Sequence, residues 1–158
     1  MIKQYIRQKE LEADAARETE ARAEERVKRE GYSNRVFELG KSAVSKAVSI
    51  GRRDLEWHGP YLCFVSTPWV STSVGQVQVK AKEKNVGGKQ APRMITESIE
   101  VLLKVGDSTI PYATAITDKP LSSPTDHRIH KEGYREEIDL EVVSLVDEVN
   151  VAMDALAQ

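Results

Sequence analysis

The chain has 158 residues, 40% hydrophobic and 30% charged, with a formal net charge of −2. That length fits one domain with an extension, and a balance this close to neutral supplies no long-range field to draw in nucleic acid or an anionic membrane. The single cysteine excludes an intramolecular disulfide, and no apolar run approaches the ~20 residues that a membrane-spanning helix needs.

Residues 2–30 read as one charged helix, free of Gly and Pro and nearly free of β-branched residues. Uninterrupted, it is about 43 Å long. Ile2, Ile6, Ala13, Ala16, Ala23 and Val27 fall on one seam, interrupted by Lys9 and Glu20. Glu18–Arg22, Glu24–Lys28 and Glu25–Arg29 are i,i+4 pairs in the favourable order, and Gly31 stands where a helix stop is expected. The seam is too thin to bury itself, and its alanines allow close approach with little buried area. It therefore predicts a partner surface; a solvated single helix is the competing reading. No apolar leader precedes it, so the expected location is soluble, in the cytoplasm or in a virus particle.

A second helix is predicted over 34–50, capped by Ser33 or Asn34. Val36, Phe37, Gly40, Ala43, Val44, Ala47 and Val48 give it a broad apolar face suited to packing on a sheet. Gly51 ends it.

From Leu55 onward the period shortens to two. Strands are expected within 55–65, 69–84, 94–105 and 109–117. Gly59-Pro60, the 85–92 stretch and Gly106-Asp107-Ser108 supply turn chemistry. Val77, Val79 and Ala81 alternate with Gln76, Gln78, Lys80, Lys82 and Lys84. Pro111 cannot donate to a ladder, so its strand is expected to lie at an edge or to start after the proline. Cys63, inside an apolar run, reads as a buried core residue. Trp57, Tyr61 and Tyr112 read as core or interface packing residues, whereas Trp69 follows the Ser66-Thr67-Pro68 break and is expected near a surface, where it would be an interface anchor.

Residues 118–133 form the longest irregular stretch, and such loops are often functional. Asp126, His127 and His130 offer potential metal ligands, but loop spacing does not hold them on one face, so no metal site is expected. The final segment fits two patterns. Ile138, Leu140, Val142 and Val146 alternate as in a strand, while Ile138, Val142, Leu145, Val149, Ala152 and Leu156 make a helical seam. The β-branched density favours a strand to Val146, followed by a short helix to Ala157. Read so, residues 137–156 (an alternating strand, a brief acidic step, then Ala152-Met153-Asp154-Ala155-Leu156) resemble a segment of tailed-phage tail-completion proteins. That resemblance assigns no residue a role.

Lys80, Lys82 and Lys84 form a basic strand face, and Glu137, Asp139 and Glu141 would form an acidic one. Opposite charges on facing strands contribute about 0.2–1 kcal/mol per pair, so the two faces are expected to pair within or between subunits. No aromatic residue is interleaved with the lysines, which disfavours nucleic acid. Gly87-Gly88-Lys89 is not a phosphate loop, because Gln90 replaces the required Ser or Thr and Glu83 the first Gly. The nucleophile-elbow and dinucleotide glycine motifs are absent.

These readings predict an α+β protein: a helical arm at 1–31, then at 32–158 an amphipathic helix, an antiparallel β-sandwich or partly closed barrel, and a short C-terminal helix. The expected function is non-enzymatic, with no cofactor, metal, membrane or small-molecule substrate. The chain is read as a structural or adaptor subunit forming a homo-oligomer, or joining other subunits of a large symmetric assembly such as a virus particle. The expected interface is Ile2, Ile6, Ala13, Ala16, Ala23 and Val27 with the two charged β faces. The alternatives are a small binding module using the 118–133 loop and the Trp69 region, or a weak nucleic-acid binder using Lys80, Lys82 and Lys84.

Overall fold

A computed structural model describes residues 2–117, 121 and 136–158. In chain order these form helix α1 (Ile2–Ser49), strands β1 (Asp54–Trp57), β2 (Leu62–Ser66), β3 (Val70–Thr72), β4 (Gly75–Asn85), β5 (Met94–Val105) and β6 (Ser108–Ile116), and helix α2 (Glu136–Leu156). The class is α+β, with a long N-terminal helix, an antiparallel sheet and a shorter C-terminal helix.

The two predicted N-terminal helices are one. α1 runs 48 residues, about 72 Å, straight through Gly31. A glycine inside a helix costs about 1 kcal/mol relative to alanine. The turns that follow offset that cost, because Ser33, Val36 and Phe37 are buried directly after it. Gly31 does not adopt the positive φ of a helix stop; Gly51, at φ 71°, does.

The C-terminal segment is likewise one helix of 21 residues, not a strand followed by a helix. Its buried apolar side chains are Val142, Val143, Leu145, Val146, Val149 and Met153. They form a stripe at helical spacing, and burying it outweighs the intrinsic strand preference of the valines. The strand-then-helix pattern behind the tail-completion resemblance is therefore absent.

The strands make a single six-stranded sheet, ordered β1-β2-β4-β5-β6, with β3 also paired to β4. The sheet is not closed into a barrel, and its second layer is the two helices rather than another sheet. β2 pairs with Lys80–Lys84 of β4 and β3 with Gly75–Val77. Thr67 bridges the gap between them: its N–H donates to the Val79 carbonyl at 2.9 Å, and its hydroxyl accepts from the Val79 N–H at 3.1 Å. β6 is an edge strand, as Pro111 requires. Gly106, at φ 59°, turns β5 into β6.

One face of the sheet carries Val77, Val79, Ala81, Ile99, Val101, Ala113 and Ala115, and these meet the buried faces of α1 and α2 in one core. Most are small, which lets the helices come close. The closest approach is at Gly40, where a Cβ would run into Cγ2 of Ile99 and lie 3.1 Å from its Cγ1.

Candidate assembly surfaces

The first half of α1 is uncovered. Every described side chain over residues 3–28 is exposed, including Ile6, Ala13, Ala16, Ala23 and Val27; the side chain of Ile2 lies outside the described set. From Arg29 onward the helix joins the body, where the Arg29 guanidinium donates to the Leu121 carbonyl at 2.9 Å. The seam also points the other way. Val27 and Val36 are nine positions apart on α1, about two and a half turns, so they leave the helix on opposite sides. Val36 faces the core, and the Val27 seam faces away from it.

The lysine face exists. Lys80, Lys82 and Lys84 share one side of β4, opposite the side covered by the helices. The expected acidic strand face does not form. Glu137, Asp139 and Glu141 stand on α2, where alternate positions diverge: Glu137 and Glu141 are exposed and Asp139 is buried. Because α2 covers the other side of the sheet, these carboxylates do not pair with the lysines of the same molecule. The lysines find nearer counter-charges on β5. Lys82 Nζ lies 3.5 Å from Glu97, and Lys80 is in register with Glu100.

Sequence reasoning missed the aromatics beside this face, because they come from other segments. Phe64 of β2 is in register with Lys82. Lys80 Nζ sits 5.4 Å from the Phe64 ring centroid, and the His58 ring meets Phe64 edge-on at 5.1 Å. Trp69 is half-buried, with Lys104 Nζ 5.5 Å from its ring. No periodicity within β4 signals these neighbours; strand register alone supplies them.

Sequence reasoning also missed an apolar groove of ≈ 530 Å³ between the last turns of α1 and the β1 end of the sheet. Val44 and Val48 form its helical wall, Leu55 and Trp57 its strand wall, and Cys63 and Met94 complete the lining. Its charged lining residues are Lys41 of α1, Arg53 just before β1, and Glu83 of β4. Trp57, expected to be packed, is 57% exposed: α1 ends at Ser49, before the helix layer reaches β1. Burial pushes the Cys63 thiol above its ordinary pKa, and the nearby Glu83 carboxylate adds to the shift.

Among the described residues, no group of three or more His, Cys, Asp or Glu side chains is placed to hold a metal, and no helix is long and apolar enough to cross a membrane. The loop residues Asp126, His127 and His130 lie outside the described residues. No protein-family model, curated protein or solved structure matches the chain.

Proposed function

We propose that this chain is a non-enzymatic structural or adaptor subunit that self-associates through the first half of α1, within a larger symmetric assembly such as a virus particle. One observation carries the reading. A helix rooted in the core extends about 40 Å with all its described side chains exposed, and its apolar seam faces away from its own body. An isolated helix with so thin a seam gains little from its own contacts; its apolar positions are useful against another polypeptide. The experiment is sedimentation of the full chain over a concentration range, beside a variant lacking residues 1–28. Full-length protein heavier than one protomer and a lighter truncated form support the reading. Equal masses overturn it.

The Phe64–Lys80 and Trp69–Lys104 contacts favour a second reading, weak nucleic-acid binding on the open sheet face. Aromatic faces beside lysines are what stacked bases require. Against it, Glu97 and Glu100 already accompany the lysines. A single-stranded oligonucleotide titrated at several salt concentrations tests it, since phosphate contacts produce a steep loss of affinity with salt.

A further inference from the structure

Among the described residues the arm seam and the groove are both uncovered apolar features, and α1 contributes to each. Ile6 and Val44 belong to one continuous α1, about 57 Å apart along its axis. The seam of a molecule therefore does not reach its own groove. A second copy brings the two together.

We infer that the groove beside β1 receives the Ile6 stretch of the arm from a second copy of this chain. The inference rests on the self-association proposed above and names where the arm seats. Size and chemistry agree. The groove has room for a few large side chains, and Ile6 is the large apolar side chain that the described part of the seam presents at its tip, 51% exposed, with Tyr5 beside it, 63% exposed.

The charges agree in pattern as well. At 100° per residue, Glu10 and Glu12 flank the seam between Ile6 and Ala13 on either side, and Lys9 stands within it. The groove is the inverse, lined by Lys41 of α1, Arg53 just before β1 and Glu83 of β4. Seating the seam sets Glu10 and Glu12 against Lys41 and Arg53, and Lys9 against Glu83. Each copy offers one arm and one groove, so the contact is head-to-tail, which closes into a ring or continues as a filament.

Mixing two broken copies is the test. Ile6→Asp spoils the arm and leaves the groove; Val48→Asp does the reverse. Each alone is expected to sediment as a single protomer, and an equimolar mixture as a two-protomer complex, since one intact arm then meets one intact groove. The double variant Lys41→Glu/Arg53→Glu breaks the groove without adding a charge to its apolar wall. On its own it should sediment as a single protomer, and adding Glu10→Lys/Glu12→Lys to the same chain should restore self-association. A mixture that stays at protomer mass overturns the inference. So does a Val48→Asp protein that assembles like wild type while Ile6→Asp does not; that result leaves arm-driven assembly standing. A wild-type chain of protomer mass at every concentration overturns both.

Discussion

Asn150 of α2 donates from Nδ2 to the Leu39 carbonyl of α1 at 2.7 Å, and its Oδ1 accepts from Lys46 Nζ at 3.2 Å. Lys46 continues to Asp154 at 3.0 Å. A short polar chain thus crosses the contact between the two helices, with Asn150 5% exposed at its centre. Its members are expected to contribute unequally. Asn150→Ala removes a buried amide that satisfies groups on both helices, and is expected to cost about 1–3 kcal/mol. Asp154→Asn alters an exposed ion pair and is expected to cost less than about 1 kcal/mol. Urea unfolding of both variants ranks them. Equal losses would show that the buried amide contributes no more than the exposed ion pair.

Two glycines of α1 predict opposite signs for the same substitution. No atom lies within 4 Å of a Cβ built at Gly31, whereas one at Gly40 runs into Ile99. Gly31→Ala is expected to stabilise by up to about 1 kcal/mol through helix propensity alone. Gly40→Ala meets a core side chain that is 0% exposed, and overpacking of this kind costs about 1–3 kcal/mol. The cause is separable. On an Ile99→Ala background the two nearest atoms are gone and only Cβ, at 3.2 Å, remains, so the Gly40→Ala penalty should shrink or vanish. A Gly40→Ala penalty undiminished on that background would rule out the contact with Ile99 as its source.

Gly31 also shows where local reading runs out. It carries a helix-stop signal of about 1 kcal/mol, and nothing in its immediate sequence reveals that Ser33, Val36 and Phe37 will be buried on the other side of it. The same conflict decides 138–146. The valines prefer strand, yet they also make a helical stripe, and the surface they pack on is distant in sequence. The patterns of β4 to β6 were legible because alternation and turn chemistry coincide there, at Val77, Val79 and Ala81, at Gly106 and at Pro111. The seam residues Ile6 to Val27 were legible from periodicity alone. The groove was not, since it arises where a helix ends at Ser49 short of Leu55 and Trp57, a matter of relative lengths. Nor was the company of Lys80, which depends on the register of β2 against β4.

Tyr112 of β6 ties the sheet to α2 through its hydroxyl, which donates to the Glu141 carboxylate. Burial first, then the charge and hydrogen bond of Glu141, raise its pKa from 10.0 to about 12. The raised value fixes the sign of a pH effect. Between these two values an unfolded chain has released the phenolic proton and the folded one retains it. Tyr112 therefore contributes stability that is complete below pH 10 and is lost as pH rises through about 12. Phenolate absorbance should show one late ionisation near pH 12 that disappears in Tyr112→Phe. In Glu141→Gln it should move down but not reach 10.0, because burial, the larger cause, remains. A Tyr112 that ionises at its ordinary value in the wild-type protein would show that the phenol is solvated and the contact with Glu141 absent.

Cys63 lines the groove yet is 2% exposed, and its raised pKa keeps the thiolate scarce at neutral pH. Both effects slow attack on a disulfide reagent. In the folded protein, modification requires a local opening at the β1–β2 end of the sheet; an opening free energy of about 3 kcal/mol corresponds to a rate about 100-fold below that of the unfolded chain. Raising the pH toward the thiol's raised value should accelerate the native reaction by increasing the thiolate fraction. The opening step should not change with it. If a second copy's Ile6 occupies the groove, concentrating the protein should slow the modification further, and Ile6→Asp should abolish that concentration dependence while leaving the dilute rate unchanged. Native and unfolded rates that match would mean that the wall formed by Val44, Val48 and Trp57 does not shelter the thiol, and that the groove is open at its floor.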